Sequence, residues 1–143
     1  MSFSKILVPV DGSEPSTRAL QFAVRLAEET GATIELVTVL DLGQLDFYDG
    51  MYRTIEQVEH WQERLRERVI AEALATIPEG GPPVETVLLK GAAVKAILAR
   101  IEEVSPDVVV MGRTGRGAID RMLHGSVSRR IAALSPVPVT VVA

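Results

Sequence analysis

Residues 107–126 read DVVVMGRTGRGAIDRMLHGS. The apolar run Val108-Val109-Val110-Met111 has the composition of a buried strand, and it empties into a segment with glycines at Gly112, Gly115, Gly117 and Gly125. Gly125 and Ser126 then open a helical stretch marked by Val127, Ile131 and Leu134, with Ser126 as the expected cap. Glycine lets a backbone approach an anion with no side chain in the way. The N–H groups that lack intrahelical acceptors at a helix start then meet the negative charge. A strand, a glycine-rich loop and a helix start in that order build phosphate cradles in α/β proteins, so the segment predicts a nucleotide site. A plain strand-to-helix turn also uses glycine, but four glycines, the strand and the serine together favour the cradle.

Outward from this segment the chain alternates strands and helices. Ile6 to Val10 is a continuous apolar run, as expected of a central strand covered on both faces. Asp11, Gly12, Ser13 and Pro15 make a turn and helix start, and Ala19, Phe22, Ala23 and Leu26 are the expected inner face. Gly31 is the expected left-handed cap. Thr33 to Leu40 is the second strand. A long helix ends before Pro78, with Ile55, Val58, Trp61, Leu65 and Val69 as its stripe. The third strand spans 84–89, the fourth 107–111 and the fifth 137–142, with Val94, Ile97, Ile101 and Val104 marking the helix between the third and fourth. This alternation predicts one α/β domain over residues 1–143, a parallel sheet with right-handed crossovers and helices on both faces. Ligands in such sheets bind beyond the strand C-termini, where the strand order reverses.

Composition narrows the function. With 143 residues the chain can bury one substantial core, and its net charge of −4 argues against a nucleic-acid backbone as partner. The absence of cysteine excludes disulfides, thiolate catalysis and Cys-ligated metals. The start MSFSKILVPVDGS has no signal-peptide layout, and no apolar stretch approaches the roughly 20 residues that span a bilayer. A cytoplasmic protein without direct membrane insertion is expected. Neither G-x-x-x-x-G-K-(S/T) nor G-x-G-x-x-G occurs, which argues against a motor-type NTPase and a dinucleotide enzyme. A receiver-type phosphoacceptor role for Asp11 lacks its second acids and its lysine.

The glycine spacing is more specific. Gly112, two residues, Gly115, nine residues and Gly125-Ser126 form G-2x-G-9x-G-(S/T). With ILVPVDGS at the start, LHGSVSRRI in the last helix and SPVPVTVV at the end, the whole chain resembles the ATP-binding universal stress proteins. The resemblance implies a Rossmann-like sheet of the adenine nucleotide α-hydrolase type, with five strands in the order 3-2-1-4-5. It also implies ATP at the switch point, with ADP or AMP as alternatives and Mg²⁺ accompanying the phosphates. Asp11 would then meet the adenosine moiety with Pro9 and Val10 beside it, and Val39 would offer backbone hydrogen bonds to adenine. Gly112 and Gly115 would line the ribose and phosphates, and Gly125 and Ser126 would hold the phosphate tail. Met111, Arg113, Arg116 and Val127 complete the expected lining. Arg113 and Asp120 depart from the usual residue types and leave the phosphate number open.

Other readings stay beside this one. Asp11 could instead cap the first helix. His60 is expected on a solvated helix flank and His124 in a variable position beside Gly125. Ser126, His124 and Asp120 lack a nucleophile-elbow context. The final strand, with Pro138, reads as a sheet edge, and the resemblance implies a homodimer paired through Val137 to Val142. The leading function is a dimeric, nucleotide-dependent sensor or regulator in which occupancy alters the surface of residues 113–124 for a protein partner. A slow ATPase or an enzyme that phosphorylates itself at Ser126 or Ser128 is the second class. A dimerisation scaffold that binds no nucleotide is the third.

Overall fold

The computed structural model describes residues 3–41, 55–113 and 126–143. In chain order the elements are β1 (Lys5–Pro9), α1 (Glu14–Thr30), β2 (Thr33–Leu40), α2 (Ile55–Ala75), β3 (Val84–Lys90), α3 (Ala93–Val104), β4 (Val108–Gly112), α4 (Ser126–Leu134) and β5 (Val139–Val142). The strands form a five-stranded sheet in the order β3-β2-β1-β4-β5, and every neighbouring pair is parallel. This is the order expected, with β1 and β4 side by side at its centre.

Alternation along each strand sorts the core into two layers. Ile6, Val8 and Val10, with Ile34, Leu36, Val108 and Val110, face Ala19, Leu20, Ala23, Val24 and Ala27 of α1. Val69, Ile70 and Ala73 of α2 pack on the same layer. Leu7, Val37, Val109 and Met111 face the other way, against Val94, Ile97 and Ile101 of α3 and Ile131 of α4. Helices therefore cover both faces, which is why Ile6–Pro9 of β1 and Val108–Met111 of β4 are apolar at consecutive rather than alternate positions.

Several boundaries and faces differ from the sequence reading. The buried side of α1 is Ser16, Ala19, Leu20, Ala23, Val24 and Ala27, while Phe22 is exposed. At 3.6 residues per turn Phe22 lies about 120° from the centre of that stripe. Its size signals a core residue, but the small alanines are what let the helix approach the sheet. Trp61 of α2 is likewise exposed, and contact with the core comes from the second half of that helix. The last turn of α2 closes through bonds from Thr76 N–H to the Ala73 carbonyl and from Ile77 N–H to the Leu74 carbonyl, which shortens it before Pro78. β5 begins at Val139 rather than Val137, because Ser135 Oγ ties up both Val137 N–H (3.0 Å) and the Val137 carbonyl (2.7 Å). Gly31 caps α1 with φ at +78°, as its sequence position predicts.

A charged group sits where sequence patterning gave it no role. Glu35, in the middle of β2, is fully buried. Arg100 of α3 grips its carboxylate at both oxygens, with Nε to Oε2 at 2.8 Å and Nη2 to Oε1 at 2.7 Å. Lys5 Nζ stands 3.7 Å from the same carboxylate. Bonds from Arg100, reinforced by its charge and that of Lys5, hold the Glu35 carboxyl below the usual carboxylate range despite burial.

Candidate functional site

Strand order reverses between β1 and β4, so the crevice beyond their C-terminal ends is the natural ligand position of this sheet. Three chain segments meet there: residues 10–13 after β1, the end of β2, and Gly112–Arg113 at the end of β4.

After β1, Val10 N–H bonds the Val37 carbonyl at 2.8 Å, the last rung between β1 and β2. Asp11 then folds the chain through a bond from Ser13 N–H to its Oδ1 at 2.9 Å, and Gly12 turns it with φ at +86°. Asp11 does not cap α1. That role falls to Ser13, whose Oγ accepts from Ser16 N–H. The Ser13 carbonyl in turn accepts from Ser16 Oγ, Thr17 N–H and Thr17 Oγ1. Pro15 has no N–H to offer. The first turn of α1 is thus closed largely by its own groups and is poorly suited to hold an anion.

At the end of β2, N–H and C=O groups alternate between the neighbouring strands. Thr33 N–H bonds Ser4 and the Val37 carbonyl accepts from Val10, both on the β1 side, while Ile34 N–H and the Leu40 carbonyl bond toward β3. Val39 belongs with the first set. Among the described residues β1 has ended by then and none bonds the N–H or C=O of Val39, so this donor and acceptor pair faces the crevice. The Val39 side chain packs against the layer under α3 and α4.

At the end of β4, Gly112 lies directly under the first turn of α1. A Cβ there would come 2.7 Å from the Pro15 carbonyl carbon and 2.8 Å from Ser16 N. Gly112 is therefore required by close packing, whatever a ligand asks of it. Arg113 follows with an exposed side chain and a fixed backbone. Its N–H bonds the Val142 carbonyl at 2.7 Å, and its carbonyl accepts from Ser128 Oγ at 2.6 Å. The second bond joins the end of β4 to the first turn of α4, so the two ends of the glycine-rich segment are held together. α4 opens at Ser126 itself, one residue earlier than a serine cap would place it. Ser126 and Val127 are half-buried in that first turn.

Of the expected site residues, Pro9, Val10, Asp11, Val39, Met111, Gly112, Arg113, Ser126 and Val127 are thus brought to one end of the sheet. Gly115, Arg116 and Gly125 lie outside the described residues, as do Asp120 and His124. Ser128 is not a free hydroxyl acceptor for phosphorylation: it is 3% exposed and already donates to Arg113. No sequence signal pointed to that bond, which spans fifteen residues. Across the mouth, Lys90 at the end of β3 is engaged by Glu59 at 3.2 Å and Glu63 at 3.0 Å of α2, which raise its ammonium pKa. Among the described residues no group of three or more His, Asp or Glu side chains could hold a metal ion, and no helix is long and apolar enough to cross a membrane.

Comparison with known proteins agrees with this architecture. A universal stress protein of Methanocaldococcus jannaschii is 31% identical over 98% of this chain and 82% of its own length. One from Thermus aquaticus is 32% identical over 98% of both. Among solved structures, a universal stress protein in complex with cAMP superposes with a TM-score of 0.67 at 26% identity, covering 100% of this chain and 98% of that one. The family model for universal stress proteins matches residues 2–143. By sequence and by fold, the chain belongs to the universal stress protein family.

Proposed function

We propose that this chain binds an adenine nucleotide, ATP first among them, in the crevice between the ends of β1 and β4. The observation that carries the reading is the pairing of two features at one switch point. Val39 presents a backbone donor and acceptor that no described residue takes up, and the G-2x-G-9x-G-S segment leaves β4 and returns to the start of α4. In this reading Pro9, Val10, Asp11 and Val39 take the adenosine moiety. Met111, Gly112, Arg113, Gly115 and Arg116 line the ribose and phosphates, and Gly125, Ser126 and Val127 hold the phosphate tail at the start of α4. With α1 sealed by Ser13, the polyphosphate is directed to α4. Mg²⁺ comes with the phosphates, which supply its ligands. The related protein that carries cAMP supports an adenine nucleotide as the class of ligand.

A fluorescent ATP analogue titrated into the wild type should saturate and be displaced by ATP. Gly125→Val, which puts a branched side chain where the phosphates approach, should weaken binding at least about tenfold. A wild type without saturable binding would overturn the reading and favour a scaffold.

The regulatory part of the proposal needs a second copy. β5 is an edge strand with Val141 exposed on it, and Leu134 of α4 and Phe22 of α1 are exposed as well. α1 reaches this edge, since Arg18 Nε bonds the Ala143 carbonyl at 2.8 Å. An edge that no described residue pairs, with exposed apolar side chains on β5, α4 and α1, favours pairing with its own copy through Val137 to Val142. Light scattering should give the mass of two chains; a single-chain mass at micromolar concentration would remove the homodimer. Such a dimer would report nucleotide occupancy to a protein partner, consistent with a stress-response regulator in the cytoplasm.

A further inference from the structure

We infer that Ser128 is a positioning residue for the phosphate end of this site, an inference that rests on the nucleotide reading above. Its hydroxyl donates to the Arg113 carbonyl at 2.6 Å while the side chain is almost completely buried. A serine in the first turn of a helix ordinarily serves that turn. Here it reaches across to a strand end fifteen positions earlier in the chain.

The Arg113 end is itself immobilised. Its N–H is held by Val142 of β5, and the preceding Gly112 is wedged under Pro15 and Ser16 of α1. The Ser128 bond therefore fixes α4 to a point that two other elements already hold. This sets the distance between the end of β4 and the helix start, the gap that residues 114–125 must bridge. It also sets where the first-turn amides of α4 stand relative to the crevice. Recognition groups hold their geometry only when neighbouring bonds lock them. The adenine end of the crevice is built from β1 and β2, and Gly112 beside the ribose is held by Pro15 and Ser16 of α1, so adenosine does not depend on this bond.

That division gives a test that a general loss of stability would not pass. Ser128→Ala removes the donor, and Ser128→Cys keeps nearly the same volume with only a weak donor. Binding of ATP and of adenosine is measured by calorimetry for the wild type and both variants, with a thermal melt of each. ATP binding should weaken about tenfold in both variants, while adenosine binding changes less than about twofold. Parallel loss of ATP and adenosine affinity, Ser128→Cys behaving as wild type, or no change in either ligand would overturn the inference. A wild type that binds neither ligand would instead overturn the nucleotide reading itself.

Discussion

Arg100→Ala should destabilise the fold by about 3–5 kcal/mol, as removal of one partner of a buried ion pair usually does. Glu35 is fully buried on the central part of β2, and Arg100 satisfies both of its carboxylate oxygens. Alanine leaves that charge in the core with only Lys5, 3.7 Å away, to oppose it. The pair itself need not be strongly stabilising, because desolvation offsets much of its attraction. Replacing both members, as in Glu35→Leu with Arg100→Met, should accordingly lie much closer to wild type than the single variant.

The pH dependence of this pair has a definite sign. The folded carboxyl of Glu35 is held below its ordinary range, first by the bonds from Arg100. Its contribution is then complete above the ordinary carboxylate range and is lost as the pH falls through the lowered folded value. In Arg100→Ala, burial instead favours the protonated acid. Urea unfolding from pH 7 to 3 should therefore show the gap between wild type and Arg100→Ala narrowing as the solution is acidified. Equal stability at pH 7 would show that the pair is not what the distances indicate.

Gly112→Ala should damage both the fold and the proposed site. The added methyl meets backbone atoms of Pro15 and Ser16 at 2.7 and 2.8 Å, not the flexible end of a side chain. Either β4 or the first turn of α1 must move, and overpacking of this kind costs about 1–3 kcal/mol. Movement of β4 also displaces Arg113 from its bonds with Val142 and Ser128. ATP affinity should fall more than about tenfold, because a loss of 1.4 kcal/mol in binding is already that much. A variant with unchanged urea midpoint and unchanged ATP affinity would mean that the approach of α1 to β4 is looser than these distances.

Much of this fold is legible because its signals are local. Runs such as Ile6–Val10 and Val108–Met111 are apolar at every position, which only a strand covered on both faces explains. Gly31 stands where a helix must end. Size misled at Phe22 and Trp61: a large apolar residue looks like core, but close approach of α1 to the sheet is set by alanines. Asp11 and Ser13 are both acceptable caps, and the choice between them depends on where Pro15 falls in the first turn. Nothing in the pattern of TIELVTVL gives Glu35 a partner, and nothing local selects Arg100 from 15 basic residues.

The candidate site divides in the same way. Its glycine spacing and its place after β4 can be read from the chain, and the resemblance supplies the strand order that makes β1 and β4 neighbours. The direction of the Val39 backbone, the closure of α1 by Ser13 and the bond between Ser128 and Arg113 arise only when distant segments meet. Those are tertiary facts, and no spacing rule contains them.

Crystallisation with saturating ATP tests the central claim most directly. The account predicts adenine against the backbone of Val39, ribose near Asp11 and Gly112, and phosphate oxygens within hydrogen-bond reach of the first turn of α4. A crevice holding only solvent under those conditions, or a polyphosphate seated at α1 or elsewhere, would contradict it.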